Sequence, residues 1–161
     1  MLEPGQPAPA FTLKDSNKRA WSLDSLRAAG PVVVFFYPRD DSPICTREAC
    51  AFRDAYEDFV AAGATVVGVS SDSEETHRDF AARRRLPFVL LSDTDGEAQK
   101  AFGVSRTLGL VPGRATFVID KAGIVQMAFS AQFQAAGHME QALAAVRQLA
   151  KGATSTPSRT P

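Results

Sequence analysis

The chain has 161 residues, 45% of them hydrophobic and 22% charged, which suits one globular domain with a sizeable core. Its 18 basic and 18 acidic residues give a formal net charge of zero, so the sequence lacks the basic surface that nucleic-acid binding requires. No run approaches the roughly 20 apolar residues of a membrane span, and the first residues do not resemble a signal peptide, so we expect a cytoplasmic protein without a membrane partner.

The first part of the chain predicts a hairpin and a buried strand. Residues Phe11–Leu13 and Ala20–Leu23 flank a turn-forming Asp-Ser-Asn segment, which is typical of a β-hairpin. A short helical turn is expected over Asp24–Ala29. The β-branched and aromatic run Val32–Tyr37 then predicts a central strand that is buried on both faces.

The rest of the chain alternates helical patterns with further strands. This alternation predicts an α/β domain over residues 1–151 with a central mixed β-sheet flanked by helices, followed by a disordered Ser/Thr/Pro-rich tail over residues 152–161. The expected helices run from Ile44 to Ala62, Ser73 to Arg85, Asp95 to Phe102 and His138 to Lys151; the expected strands run from Thr65 to Ser70, Phe88 to Leu91, Ala115 to Ile119 and Ile124 to Phe129.

Cys45 falls where the central strand gives way to a helix. Ligands tend to bind beyond the carboxyl ends of the strands in such sheets, and the first turn of a helix favours an anion such as a thiolate. Ser42, three residues earlier, could cap the helix and donate its hydroxyl to a bound oxygen. By itself this Ser-x-x-Cys spacing is more typical of a buried cysteine beside a serine cap.

Cys50 lies on the same predicted helix but faces a different direction. At 100° per residue it is roughly 140° from Cys45, which lies with the core-facing stripe. Ideal helix geometry separates their Cα atoms by roughly 8.6 Å, whereas a disulfide needs less than about 7 Å. They could bond only if the first helical turns unwound after oxidation of Cys45 to a sulfenic acid. Spacing alone leaves open that the two cysteines never bond.

The histidines do not indicate a metal site. The chain has two cysteines and two histidines, and His77 and His138 are far from each other and from the cysteines, which is not a ligand pattern for zinc. We expect His77 to be a structural residue on a helix with Phe80, and His138 to lie at the surface near a helix start.

The segment Pro38-x-x-x-Ser42-x-x-Cys45 matches the active-site signature of the peroxiredoxins. The wider stretch from Phe36 to Cys50 resembles their Q-type branch, also called bacterioferritin comigratory proteins, and the likeness continues from about Gly5 to Leu149. The resemblance implies a thioredoxin-like fold.

The resemblance also implies a role for each site residue. Cys45 would be the nucleophile, Cys50 the resolving cysteine, and Ser42 would stand in the place usually filled by threonine. Pro38 would shield the thiolate; Arg114 would stabilise the sulfur and the peroxide oxygens, and Glu48 would orient Arg114. Many relatives carry glycine where this chain has Ile44, which bears on how readily the first turn unwinds.

The implied function is a thiol-dependent peroxidase that reduces hydrogen peroxide and alkyl hydroperoxides without a cofactor. An intramolecular Cys45–Cys50 disulfide would be recycled by thioredoxin or a similar dithiol, and the Q-type resemblance favours a monomer. A thiol–disulfide oxidoreductase would be expected to carry Cys-x-x-Cys, which this chain lacks. A redox sensor that forms the disulfide without efficient turnover stays open.

Overall fold

The computed structural model describes residues 1–104, 113–131 and 135–155. Within these residues the chain forms one mixed sheet of 7 strands with helices on both faces. The strands are β1 (Thr12–Lys14), β2 (Ala20–Ser22), β3 (Val32–Phe36), β4 (Thr65–Ser70), β5 (Val89–Ser92), β6 (Ala115–Ile119) and β7 (Val125–Ser130). The helices are α1 (Leu23–Leu26), α2 (Pro43–Asp54), α3 (Tyr56–Ala61), α4 (Glu74–Arg84), α5 (Glu97–Ala101) and α6 (Ala135–Ser155).

The strand order is β2-β1-β5-β4-β3-β6-β7, which puts β3 in the interior of the sheet. It pairs in parallel with β4 and antiparallel with β6, and β4 pairs in parallel with β5. The predicted hairpin of β1 and β2 is present and joins the sheet through an antiparallel contact with β5. The predicted mixed α/β sheet is therefore confirmed.

The two faces of β3 belong to different cores, because successive side chains of a strand point to opposite sides. Val33 and Phe35 face a core that includes buried residues of α2, α3, α4 and α6. Val32, Val34 and Phe36 face the other core, with α1 and α5. Every residue of β3 is buried, as the continuous apolar run predicts. Among the described residues, none of the helices has the length and apolar character of a membrane span.

The two largest departures from the predicted helices are a break in one and an extension of another. The helix expected from Ile44 to Ala62 is broken at Ala55, whose backbone has φ −96° and ψ 6°. The break involves neither proline nor glycine, and the apolar stripe continues through it from Phe52 to Phe59, so periodicity carries no sign of it. α6 continues through Ser155, four residues into the predicted tail, because extending an existing helix across a glycine costs only about 1 kcal/mol. Residues 156–161 of that tail lie outside the described residues.

Gly68 of β4 provides a test of how tightly the core on the α2 side is packed. A Cβ at this position would lie 2.8 Å from Phe35 Cζ and 2.9 Å from Leu90 Cδ2, closer than packed carbon atoms approach. We expect Gly68→Ala to lower the free energy of unfolding by roughly 1–3 kcal/mol, the usual cost of overpacking. Urea unfolding would measure it, with the exposed Val60→Ala as the control that should change stability by less than about 0.5 kcal/mol. Equal midpoints for the two variants would contradict the prediction.

Candidate active site

Cys45 lies in the first turn of α2, just past the end of β3, as predicted. The helix opens with Pro43, and its first backbone bond runs from the N–H of Thr46 to the carbonyl of Ser42 at 2.8 Å. Proline suits this first position because the N–H that it lacks would have no partner inside the helix. Cys45 is 1% exposed and belongs to the core on the α2 side of the sheet.

Arg114 joins the buried cysteine to a buried carboxyl group. Its Nη2 lies 3.1 Å from Cys45 Sγ, and its Nη1 donates to Glu48 Oε1 at 2.8 Å. Arg114 is 3% exposed and Glu48 is fully buried. One planar guanidinium thus contacts both partners through separate nitrogens, a geometry that lysine could not reproduce. The structure brings together Cys45, Arg114 and Glu48, the three residues that the family resemblance places in one site; their roles stay predictions.

His138 is part of the same cluster, and the expectation that it lies at the surface is wrong. It is fully buried, with Nδ1 at 2.7 Å from Thr116 Oγ1 and at 3.3 Å from Glu48 Oε2. Its Nε2 donates to the carbonyl of Ala131 at 2.7 Å. The ring also meets Phe129 edge to face, with 4.9 Å between the centroids. Burial occurs because β6, β7 and α2 converge on the first turns of α6.

Burial acts on the ionisation of both members of the Glu48–His138 contact. Desolvation raises the pKa of Glu48 to about 8 against the opposing effect of Arg114. Desolvation lowers the pKa of His138 to about 4, with Arg114 adding to the effect and the bond to Ala131 opposing it. The distance would suit an ion pair, but these directions favour a neutral imidazole facing a neutral carboxyl group at pH 7.

The hydroxyl of Ser42 does not cap α2 as predicted, and its donation to a bound oxygen stays a prediction. Ser42 occupies the N-cap position of α2, but its side chain makes no capping bond and instead donates to the carbonyl of Arg39 at 3.1 Å. The loop already turns sharply here, because Asp41 has a positive φ of 65°. Ser42 and Pro38 are half-buried beside the loop, and the predicted shielding role of Pro38 stays a prediction.

The loop between β3 and α2 is anchored through Asp40, a residue that the sequence analysis missed. Asp40 accepts from Tyr37 Oη at 2.6 Å and lies 2.7 Å from His77 Nδ1, while its backbone N–H donates to Asp72 at 2.7 Å. His77 Nε2 lies 3.1 Å from the carbonyl of Leu91, so the ring bridges the loop to β5. The prediction that His77 is a structural residue agrees with this arrangement, and the structure adds that the ring is fully buried. Burial raises the pKa of Tyr37, which keeps its hydroxyl protonated and donating.

The same anchor is a group of potential metal ligands. Among the described residues, Asp40, Asp72 and His77 form a group whose potential ligand atoms all lie within 4.8 Å of one another. The facing atoms already bond to protein: Asp72 Oδ2 accepts from the backbone of Asp40 and from Ser70 Oγ, and Asp40 Oδ2 meets His77. Nothing in this bonding indicates a ligand, so the group is best explained as an anchor for the loop.

Cys50 is a free, half-buried thiol on α2, five residues from the free and buried Cys45. Both cysteines lie within one unbroken helix, which confirms that prediction. Beyond Cys50 the helix is held at two points. Phe52 stacks on Phe35 with 4.5 Å between the ring centroids, and Arg53 Nη1 donates to the carbonyl of Arg84 at 2.8 Å.

The chain was compared with known proteins. The sequence profile described as the AhpC/TSA family matches residues 4–128. "Peroxiredoxin Q, chloroplastic" from Sedum lineare is 49% identical over 146 residues, which cover 90% of this chain and 78% of that protein. The protein of the same name from Populus jackii is 48% identical over 146 residues, covering 90% of this chain and 68% of that protein.

Solved structures have the same fold. Peroxidoxin BcpB from Mycobacterium tuberculosis matches with a TM-score of 0.87 at 38% identity, covering 92% of this chain and 99% of that one. A Xanthomonas campestris bacterioferritin comigratory protein, whose structure is described in terms of alkyl peroxide reduction, matches with a TM-score of 0.79 at 32% identity, covering 87% and 92%. The predicted thioredoxin-like peroxiredoxin fold is confirmed. The plant relatives carry the word chloroplastic in their names, so the predicted cytoplasmic location stays a prediction.

Proposed function

The chain belongs to the AhpC/TSA family and within it to the Q-type peroxiredoxins, and from this premise we propose that it reduces peroxides with Cys45 as the nucleophile. The observation that carries the proposal is the contact of Arg114 Nη2 with Cys45 Sγ at 3.1 Å inside a buried cluster. A fixed cation beside a sulfur at a helix start stabilises the thiolate, which is the reactive form. Hydrogen peroxide and alkyl hydroperoxides are the proposed substrates.

In the first step the Cys45 thiolate attacks the terminal oxygen of the hydroperoxide. An S–O bond forms as the O–O bond breaks, the sulfur becomes a sulfenic acid, and the departing oxygen takes a proton to leave as water or alcohol. Negative charge moves from the sulfur onto the leaving oxygen during this step. Arg114 can follow that charge because it offers several donors in one plane, and preorganised donors of this kind stabilise developing charge without rearranging.

In the second step we propose that Cys50 attacks the sulfenic sulfur, so that an S–S bond forms and the hydroxyl group leaves as water. The start of α2 must unwind for this, which breaks the contacts of Cys45 and Glu48 with Arg114. The helix cap adds little resistance, because Ser42 makes no capping bond and such a bond is typically worth about 1 kcal/mol. The contacts of Phe52 and Arg53 described above hold the helix beyond Cys50. Unwinding would therefore be confined to the turns that separate the two cysteines.

A dithiol completes the proposed cycle. One thiol of thioredoxin or a similar protein would attack the disulfide to give a mixed disulfide, and its second thiol would release the reduced enzyme, so that two reductant thiols become one disulfide. The electrons pass only through sulfur, so the cycle uses no metal or organic cofactor. We propose a monomer in the cytoplasm as its working form.

The experiment that tests this function follows NADPH consumption in the presence of thioredoxin, thioredoxin reductase and either hydrogen peroxide or an alkyl hydroperoxide. A peroxidase turns over many times for each protein molecule. A redox sensor, the second candidate, forms the same disulfide but turns over negligibly. If the protein failed to turn over with both peroxides at saturating thioredoxin, the peroxidase proposal would be refuted.

Cys50→Ser separates the two proposed steps. We expect this variant to be oxidised by one equivalent of peroxide to a sulfenic acid at Cys45 and then to stop, because no second thiol can displace the hydroxyl group. Mass spectrometry of the intact protein after dimedone treatment should show one adduct on the variant, whereas the unaltered chain should show loss of two hydrogens and no adduct. A disulfide-linked dimer of the unaltered chain would instead indicate that resolution occurs between molecules.

A further inference from the structure

Glu48 uses its two carboxyl oxygens differently. Oε1 accepts from Arg114 at 2.8 Å, whereas Oε2, fully buried, has no hydrogen bond of normal geometry among the described residues. It lies 3.3 Å from His138 Nδ1. A buried carboxylate oxygen without a donor is costly, typically by a few kcal/mol, so the site favours a proton on this oxygen or on the nitrogen facing it.

The bonds of His138 fix one ring hydrogen, and burial of the ring, which lowers its pKa to about 4, favours the neutral form. Nε2 is 2.7 Å from the carbonyl of Ala131, which can only accept, so Nε2 carries a hydrogen. In a neutral ring Nδ1 then presents a lone pair, which accepts the hydroxyl hydrogen of Thr116 at 2.7 Å. An ionised Glu48 would turn Oε2 against that lone pair. A proton on Oε2 removes this repulsion, and at 3.3 Å it shares the Nδ1 lone pair with the Thr116 hydroxyl as the longer and weaker of the two contacts.

We propose that Glu48 holds a buried proton on Oε2 with His138 Nδ1 as its acceptor, and that this proton leaves the charge of Arg114 available to Cys45. His138 is then a positioning residue for the peroxidase reaction, acting through Glu48 and Arg114 without touching substrate. The inference about its catalytic effect rests on the proposed function, whereas the location of the proton does not.

The charges around the pair support this assignment. The ionisable groups that the described contacts bring to it are Arg114, from the segment before β6, and Cys45 through Arg114; Thr116 of β6 and Phe129 of β7 are neutral. With Glu48 neutral, a Cys45 thiolate would be the one anion among these described groups that faces the guanidinium, and the charges of the two would balance. Burial raises the pKa of Glu48 to about 8, so the proton is present at neutral pH and is lost as pH rises through that value. Above about pH 8, the ionised Glu48 carboxylate competes with the Cys45 thiolate for Arg114.

Infrared difference spectroscopy of the reduced protein tests the location of the proton. The C=O stretching band of a protonated carboxyl group should be present at pH 6.5, disappear as pH rises through about 8, and be absent from Glu48→Gln at every pH. In His138→Phe, which keeps an aromatic ring against Phe129, the band should shift to higher frequency because the carboxyl hydrogen has lost its acceptor. An absent band, or one that does not move in His138→Phe, would overturn the proposal.

Thr116→Val provides a second variant if His138→Phe fails to fold. It preserves volume and removes the hydroxyl that shares Nδ1, so the bond from Glu48 should strengthen and the same band should shift to lower frequency. The two variants thus predict opposite shifts, which a general loosening of the site would not produce. An upward shift in Thr116→Val would overturn the proposal as surely as no shift in His138→Phe.

The catalytic consequence is a pH profile. In a Cys50→Ser background, the rate constant for oxidation of Cys45 should fall about tenfold between pH 7 and pH 9.5, the change that corresponds to one pKa unit of lost interaction with Arg114. Glu48→Gln offers Arg114 an oxygen and His138 an N–H donor but cannot titrate, so its ratio of rates at these two pH values should stay near one. If the rate in Glu48→Gln declined with pH as much as in the unaltered chain, the catalytic role would be overturned.

The two proposals can fail separately. If the infrared band behaves as expected but Cys45 does not react with peroxide, the proposed function is refuted and the proton assignment stands.

Discussion

Replacing Cys45 with serine is expected to reduce peroxide consumption to the rate measured without protein. Serine places a hydroxyl where the sulfur contacts Arg114 at 3.1 Å, but a hydroxyl stays protonated at neutral pH and cannot accept the oxygen as a stable sulfenic acid. The measurement is loss of hydrogen peroxide over one turnover, at equal protein and peroxide concentrations. In steady-state assays with thioredoxin and its reductase, Cys45→Ser should likewise show no peroxidase activity.

The control for this prediction is Cys50→Ser, which removes the other thiol by the same chemical change. It should still consume one equivalent of peroxide in the single-turnover assay while Cys45→Ser consumes none. Circular dichroism and urea unfolding establish that both variants are folded, which matters because Cys45 is only 1% exposed and its hydroxyl substitute would be buried. Stoichiometric oxidation of Cys45→Ser would show that Cys50 or another residue is the nucleophile.

The position of Cys45 could be predicted from the sequence because its determinants are local. A continuous apolar run ends, proline and serine follow, and a helical pattern begins, so the cysteine must stand at a strand-to-helix junction. Arg114 is 69 residues from Cys45 in the chain, and no periodicity links the two. Its place beside the sulfur was predicted only through the resemblance to peroxiredoxins, and pairing of β3 with β6 in the middle of the sheet explains why the two residues meet.

The burial of His138 is a feature that the sequence analysis did not predict. The histidine was interpreted as a surface residue because it begins the predicted helix, where exposed polar residues are common. Yet Ala142 and Val146, which follow it at intervals of four, are fully buried, so His138 lies on the apolar stripe of α6. A polar residue on such a stripe indicates a buried hydrogen-bonding role, and this signal was present in the sequence. Which groups bond to it depends on the packing of α6 against α2 and β6, which sequence patterns do not specify.

Two other features differ from the sequence prediction: the helix breaks at Ala55, and the Ser42 hydroxyl does not cap α2. Both arise because more than one conformation is compatible with the same sequence pattern. Hydrogen bonding is nearly continuous through the break, since Ala55 N–H still reaches the carbonyl of Ala51 and Phe59 N–H reaches that of Ala55. Ser42 can cap the helix or bond backward to Arg39 with little difference in energy. The loop that carries Ser42 is anchored through contacts of Asp40 with His77 and Asp72, which are long-range and which local sequence patterns do not specify.

Within the part of the chain that the structure describes, one cation, Arg114, contacts two buried acidic groups, Cys45 and Glu48. If Cys45 and Glu48 were both ionised, Arg114 would leave one negative charge uncompensated in the core, which is unfavourable unless further partners are supplied. The raised pKa of Glu48 removes one of those charges at neutral pH. The guanidinium can then neutralise the sulfur while its second nitrogen stays fixed by a neutral oxygen. In the proposed mechanism, Arg114 would therefore set both the orientation and the charge of the site.

Arg114→Met is accordingly expected to lower the rate constant for oxidation of Cys45 by about 10²–10³, the effect of removing one preorganised donor from a reacting centre. Methionine keeps the length of the side chain but stabilises neither the thiolate nor the leaving oxygen. Arg114→Lys should fall between this variant and the unaltered chain, because one ammonium group cannot hold Cys45 and Glu48 at separate nitrogens. Stopped-flow mixing of Cys50→Ser protein with peroxide at pH 7 measures all three rates.

The matched control is Arg147→Met, the same substitution at an exposed position where the arginine pairs with Asp58 at 3.7 Å on the surface. It loses one positive charge from the protein as a whole, so any effect of net charge on peroxide reactivity would appear in it too. We expect no change, because charges in water are screened beyond about 10 Å. If the rate constants of Arg114→Met and Arg147→Met differed by less than about threefold, the guanidinium would not supply several kcal/mol of transition-state stabilisation. The contact with Cys45 would then serve to position the sulfur and would not stabilise the transition state.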